Sequence, residues 1–321
     1  MRYYLAPMEG ITGYIYRNTY EEFFHNIDKY FTPFIVSNKS RSLKTKELRD
    51  VLPGNNENMN IVPQILSNDS ESFIATAKRL QKLGYKEINL NLGCPAGTVV
   101  SKYRGSGFLA KREELDRFLD DIYKIDDMKI SIKTRIGKDS PKEFYELIKI
   151  YNKYPLEELI IHPRTQRDFY GNNPNLEVFK DAINLSINPI CYNGNIFTKG
   201  DYKELTKNFP KVDTIMIGRG ILANPGLIDE IESNAFIDKK VLKDFHDKVF
   251  SRYIEVYNEE KNAMFRMKEL WSYMIYIFSN NKKYAKDIRK AQRVADYNLA
   301  VSRIFREQEI IKGAGMFSNN Y

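Results

Sequence analysis

Cysteine is nearly absent from this 321-residue chain. Cys94 and Cys191 alone cannot staple a secreted scaffold, and such scarcity fits a reducing compartment. Histidine is equally sparse: His25, His162 and His246 lie far apart with no CxxC pair to join them, so no metal site is expected. There is no GxSxG motif to seat a hydrolase serine and no early GxGxxG to open a dinucleotide-binding unit. The opening MRYYLAPMEG lacks the charged-then-apolar order of a signal peptide. The longest apolar stretch, near Trp271, is broken by Ser272 far short of the ~20 residues that span a bilayer. Together these absences point to a cytoplasmic protein without membrane attachment, and we expect a monomer.

What is abundant is core-building material. Hydrophobic residues make up 42% of the chain, with 22 Tyr and 19 Phe. Eight short β-branched or aromatic runs recur along it, at 3–6, 31–36, 61–66, 87–92, 129–134, 159–162, 189–192 and 214–217. Between them lie stretches of helical spacing at 70–83, 113–125 and 141–151, with Asp69 and Ser140 placed as N-caps. Strand and helix alternating in this way argue for a parallel sheet. An open doubly wound sheet competes, but eight units within ~230 residues favour a closed (β/α)8 TIM barrel.

After Pro225 the alternation stops, and from Val241 to Lys312 the pattern is helical throughout, with Val294, Tyr297, Val301, Ile304 and Phe305 on one face. The expected organisation is a barrel over 1–235 followed by a smaller all-helical domain over 241–321. That last quarter holds 15 basic against 10 acidic residues, most of the chain's net +8. Lys282, Lys283, Lys286, Arg289, Lys290 and Arg293 cluster there, and helical spacing puts Lys282, Lys286, Arg289 and Arg293 on one face. Such a face is either simply solvated or built for a polyanion.

Functional residues of a barrel gather where its strands end, and the residues that follow these runs are unusually polar. They are Met8 and Glu9, Thr32, Gln64, Asn91 to Cys94, Lys133 and Arg135, His162 and Arg164, Asn193 to Asn195, and Gly218 to Gly220. The last two ends, Tyr-Asn-Gly-Asn and Ile-Gly-Arg-Gly, either form tight turns with positive φ at Gly194 and Gly218 or cradle a phosphate. Lys133 on the fifth strand can hold negative charge on the polar edge of an attached ring, since a buried lysine without an anionic partner is costly. Cys191 reads as a small hydrophobe inside a strand. Cys94, displayed on the loop Asn91-Leu-Gly-Cys-Pro-Ala-Gly, has a thiol able to deliver or take a proton.

These residues resemble, in order along nearly the whole chain, the motifs of the tRNA-dihydrouridine synthases, a family of FMN enzymes. The matching segments are Ala6-Pro-Met-Glu-Gly, Gln64, Asn91-Leu-Gly-Cys-Pro, Lys133-Thr-Arg, His162-Pro-Arg-Thr, Asn193-Gly-Asn-Ile and Ile217-Gly-Arg. The resemblance implies a (β/α)8 barrel followed by a helical domain, tightly bound FMN, NADPH as reductant and tRNA as substrate. It implies hydride transfer from reduced flavin to C6 of uracil while Cys94 protonates C5. Pro7, Met8, Glu9, Gln64, Lys133, His162, Asn193, Gly194, Asn195, Gly218 and Arg219 match flavin-contacting positions. Asn91, Arg135 and Arg164 match positions near the flavin and the target base. The chain departs from the family where a basic residue often follows the cysteine, since Ala96, Gly97 and Thr98 are neutral; Lys102 and Arg104 come later. Pro163 also stands where glycine is common. A uridine stacked in tRNA must be turned out to reach a barrel mouth, and its phosphates then need a basic surface, for which Lys102, Arg104, Arg164, Lys282, Lys286 and Arg289 are candidates.

Two rival readings stand beside this one. A flavin barrel acting on a small molecule, of the dihydroorotate dehydrogenase type, shares the phosphate loops and the lysine but leaves the basic helical domain unexplained. An RNA-binding protein whose barrel has lost catalysis does not explain Cys94, Lys133 and both glycine loops.

Overall fold

The computed structural model describes residues 1–39 and 43–315. Eight barrel positions are filled by β1 (Arg2–Leu5), β2 (Lys29–Phe31 and Ile35–Val36), β3 (Ile61–Val62 and Gln64–Leu66), β4 (Glu87–Leu92), β5 (Lys129–Gly137), β6 (Leu159–Thr165), β7 (Ile190–Tyr192) and β8 (Thr214–Ile217). All pairings are parallel. The ring closes because β1 pairs with both β8 and β2, while each half of β2 pairs with a half of β3. The runs at 31–36 and 61–66 are therefore interrupted rather than continuous strands. Pro63 has no N–H to give the ladder, and Pro33 sits in the break of β2. Two other strands outrun expectation: β5 continues to Gly137 and β6 to Thr165, so Arg135 and Arg164 are strand residues.

Strand alternation sorts the barrel into two sets of side chains. Leu5, Ile88, Leu90, Leu92, Ile130, Ile132 and Ile161 join the main apolar cluster shared with the surrounding helices. The opposite parity supplies a small apolar plug of Tyr4, Ala6, Phe31, Val62, Ile160, Cys191 and Met216. That same parity carries Gln64, Asn89, Asn91, Ser131, Lys133, Arg135, His162 and Asn193. One pleat thus decides that the polar residues share the barrel axis.

The helix Ser70–Lys82 starts where Asp69 accepts from the Ser72 N–H at 2.9 Å, and buries Phe73, Ala77 and Leu80 at helical spacing. Ser140 accepts from the Lys142 N–H at 3.3 Å, at the start of a 3₁₀ turn that leads into the helix Phe144–Tyr151.

Among the described residues four α-helices follow from residue 239 onward, Lys239–Tyr257, Glu260–Met274, Asn281–Lys290 and Val294–Glu307. The first packs on the barrel helix Tyr14–Phe24: Phe245 meets Tyr16 edge-on at 5.8 Å, and Arg252 donates to Glu22 at 2.6 Å. In the bundle interior Tyr297 Oη accepts from Trp271 Nε1 at 3.0 Å and lies 2.7 Å from His246 Nε2. The basic face differs from expectation in one residue. The helix ends at Lys290, the chain turns extended at Ala291, and Arg293 stands just before the following helix, pairing with Asp296 at 2.8 Å. Arg293 therefore leaves the face of Lys282, Lys286 and Arg289, all three exposed. No helix among the described residues is long and apolar enough to cross a membrane.

Candidate functional site

At the C-terminal ends of the strands the barrel opens into a cavity of about 310 Å³. Its wall includes Pro7, Met8, Glu9, Gln64, Asn91, Cys94, Lys133, Arg135, His162, Asn193, Gly194, Gly218 and Arg219. Positions expected from sequence alone, scattered from the first strand end to the last, thus meet at one mouth. Asn195 and Arg164 stand one step behind the wall. Lys102 and Arg104 lie on the loop after β4, where Arg104 Nε donates to Asn68 at 3.1 Å and Lys102 is exposed. Lys282, Lys286 and Arg289 are away from the cavity, on the third C-terminal helix.

The Cys94 loop is held from below by amides. Asn91 Oδ1 accepts from the N–H groups of Gly93 (3.0 Å) and Cys94 (2.9 Å). Its Nδ2 donates to Gln64 Oε1 at 2.7 Å, Gln64 Nε2 donates to Asn89 Oδ1 at 2.8 Å, and Asn89 Nδ2 donates to Ser131 Oγ at 3.0 Å. The direction of this chain fixes each amide, so Gln64 and Asn91 each keep one further N–H for a ligand. Burial pushes the Cys94 thiol above its ordinary pKa, and the Ala96 N–H, Arg135 and Lys133 pull it only part of the way back. The thiol keeps its proton at neutral pH.

Lys133 presents the strongest demand for a ligand. Burial, reinforced by the charge of Arg135, lowers its pKa to about 8, and its ammonium has no hydrogen-bond or ion-pair partner among the described residues. Arg135 is committed to carbonyls: Nε donates to Gly93 at 2.9 Å, and Nη1 to Thr165 at 2.7 Å and Phe169 at 2.9 Å, tying the loops after β4 and β6 together. His162 Nδ1 lies 2.5 Å from the Asn193 carbonyl, an acceptor, which makes it the protonated nitrogen. Burial and then the charges of Arg135, Lys133 and Arg164 hold the ring's pKa well below the usual range, so His162 is neutral.

On the opposite wall two guanidiniums share one neutral acceptor. Asn195 Oδ1 receives Arg164 Nη2 at 3.1 Å and Arg219 Nη2 at 3.0 Å. Burial and the neighbouring Arg219 lower the Arg164 pKa to about 10, which leaves it charged. The nearby carboxylate of Asp168 is occupied by Thr165 and Asn172. Arg219 lies 4.8 Å from the ring of Tyr170 and 5.1 Å from that of Phe197. Of the two guanidiniums only that of Arg219 lines the cavity, and it makes no ion pair among the described residues.

The glycines here act through space rather than through φ. Neither Gly194 nor Gly218 has a positive φ. A Cβ on Gly194 would overlap the Tyr192 ring, and one on Gly220 the Ile196 carbonyl oxygen. Tyr170, Phe197, Phe34 and Tyr273 also line the cavity, and sequence reasoning does not single them out. In a chain so rich in Tyr and Phe, no local pattern marks them.

An FMN-like ligand suits this wall: a ring edge rich in acceptors matches the spare N–H groups and Lys133, and a phosphate matches Arg219. The dihydrouridine synthase family model matches residues 4–313. A protein of Staphylococcus aureus (strain COL) named "Probable tRNA-dihydrouridine synthase" is 28% identical over 298 residues, 90% of this chain and 86% of the relative. One of the same name from Rickettsia bellii is 26% identical over 230 residues, 71% of this chain and 69% of the relative. Among solved structures, morphinone reductase shares the fold with a TM-score of 0.52 at 10% identity, covering 74% of this chain and 87% of that one. Its complex with tetrahydroNAD gives 0.51 at 11% identity, covering 74% and 88%. With nearly its whole length matched by the family model, the chain belongs to the dihydrouridine synthase family.

Proposed function

We propose that this protein reduces the C5–C6 double bond of tRNA uridines to 5,6-dihydrouridine, with tightly bound FMN and NADPH as the reductant. The observation that carries the reading is a protonated thiol, Cys94, on the same cavity as the unpartnered ammonium of Lys133. Bound FMN, once reduced, supplies the hydride that adds at uracil C6.

The chain's own residues do the rest. Arg219 and backbone N–H groups near Asn195 would hold the phosphate, with the buried Arg164 fixing the Asn195 side chain behind them. Lys133, Gln64 and neutral His162 face the ring, and Pro7, Met8, Glu9, Asn193, Gly194 and Gly218 shape its seat. Cys94 gives its proton to uracil C5, and the resulting thiolate is stabilised by Arg135 and Lys133, the cations that already pull the thiol's pKa down. Water then returns the proton. Asn91 keeps the Cys94 loop in place, and Arg135 braces that loop against the one after β6. In this account residues 1–235 are the catalytic barrel and 241–321 the tRNA-binding helices. Lys102, Arg104, Lys282, Lys286 and Arg289 contact phosphates of the RNA in a cytoplasmic, monomeric enzyme.

The test is the purified protein itself. It should show the visible absorption of oxidised flavin and release FMN on denaturation, and NADPH should bleach it. Colourless protein that takes up no added FMN would defeat the proposal.

A further inference from the structure

A second cavity, of about 330 Å³, opens beside the first where the barrel meets the C-terminal helices. Pro33 borders both, so the two are neighbours along one lip. The second is walled by Tyr14, Tyr253 and Tyr257 with Pro33, and is bordered by the cations Lys46, Arg49 and Arg266. The Tyr253 and Tyr257 rings lie 5.9 Å apart and only 15° from parallel. Tyr253 is buried beneath, whereas Tyr257 is 37% exposed.

The charges here are unequal in their commitments. Lys46 pairs with Glu9 at 2.7 Å, and Arg266 with Glu269 at 3.1 Å. The carboxylate in the lining, Asp50, accepts from the Tyr14 N–H at 2.7 Å and faces Arg17 at 3.8 Å. The Arg49 guanidinium is exposed and has no acid or acceptor partner among the described residues. An aromatic stack with a free guanidinium beside it is the combination that holds single-stranded nucleic acid, through stacking on the ring and a phosphate on the cation.

We infer that this cavity receives a second nucleotide of the RNA substrate, adjacent to the one whose base enters the Cys94 cavity, with its base on Tyr257 and its phosphate at Arg49. The inference rests on the reading of the Cys94 cavity as the uridine site. Turning one base out of a stack strips its neighbour of a partner, and a platform that restacks the neighbour offsets part of that loss.

The test is binding of fluorescently labelled tRNA to the flavin-loaded holoenzyme over a range of salt, for the parent and for Tyr257→Ala, Tyr257→Trp and Arg49→Ala. Flavin content and melting temperature serve as controls on folding. Tyr257→Ala should weaken tRNA about tenfold or more, and Tyr257→Trp should restore parent affinity. Arg49→Ala should weaken binding and flatten the log–log salt slope by ~0.7–0.9, one phosphate contact. Parent affinity in both alanine variants, or a Trp variant as weak as the Ala one, would overturn the inference. Failure of the underlying function reads out separately, as a parent that binds tRNA yet forms no dihydrouridine.

Discussion

Replacing Lys133 by Met keeps the length of the side chain and removes its charge, and two effects of opposite sign should follow. The first is on stability. An ordinary lysine titrates near 10.5, whereas burial and then Arg135 bring Lys133 down to about 8. Between those values the folded protein binds fewer protons than the unfolded chain, so this group's contribution to stability rises with pH from 8 to 10.5. Below pH 8 the full penalty applies, at most ~3 kcal/mol. Flavin-free Lys133→Met should therefore be more stable than the flavin-free parent at pH 7, by up to that amount, and the gap should narrow by pH 9.5. The second effect is on the ligand. Losing a charge-assisted hydrogen bond of ~1.5–3 kcal/mol should weaken FMN roughly 10- to 150-fold. Urea denaturation of the stripped proteins at the two pH values measures the first effect, and titration with FMN by fluorescence quenching measures the second. A variant that is less stable than the parent at pH 7, or that keeps parent FMN affinity, would refute the argument.

Other residues give independent checks. Cys94→Ala should leave flavin binding and reduction by NADPH intact but slow uridine reduction by roughly 10²–10⁴, the range for loss of a positioned acid; stopped-flow comparison of the two half-reactions decides it, and an unchanged tRNA half-reaction makes Cys94 structural. Lys282, Lys286 and Arg289 changed together to Glu should lower tRNA affinity and flatten its salt dependence by ~0.7–0.9 per lost phosphate contact, with flavin content unchanged. Equal affinity and slope would turn that exposed face away from the RNA. Gly220→Ala puts a Cβ onto the Ile196 carbonyl oxygen and 3.0 Å from Leu227. It should cost ~1–3 kcal/mol in a urea melt and reduce flavin content, and an unshifted midpoint would show that the loop yields freely.

The alternation of short apolar runs with helical stretches is legible because a barrel strand must bury one parity against helices, and Ile88, Leu90 and Leu92 state that parity openly. Residues of the other parity, from Gln64 to Asn193, are polar where a core would be apolar, which is why the mouth can be read from the sequence. The breaks in β2 and β3 are hidden there although Pro33 and Pro63 lie within them, because the flanking residues have strand character. Arg293 follows helical spacing in sequence, but the chain leaves the helix at Ala291. Tyr170, Phe197 and Tyr273 reach the cavity from a turn, a loop and a C-terminal helix. Their meeting is a product of tertiary packing, and no spacing rule connects them. The glycine loops read in sequence as sites of backbone freedom, whereas close approach of Tyr192 and Ile196 is what excludes a side chain there.

The most direct test of the account is an anaerobic single turnover. Protein reduced by NADPH, freed of excess nucleotide and mixed with tRNA lacking dihydrouridine, should return to the oxidised flavin spectrum as dihydrouridine appears in the RNA. Flavin that stays reduced in the presence of that tRNA, but is reoxidised by a small pyrimidine such as orotate, would contradict it.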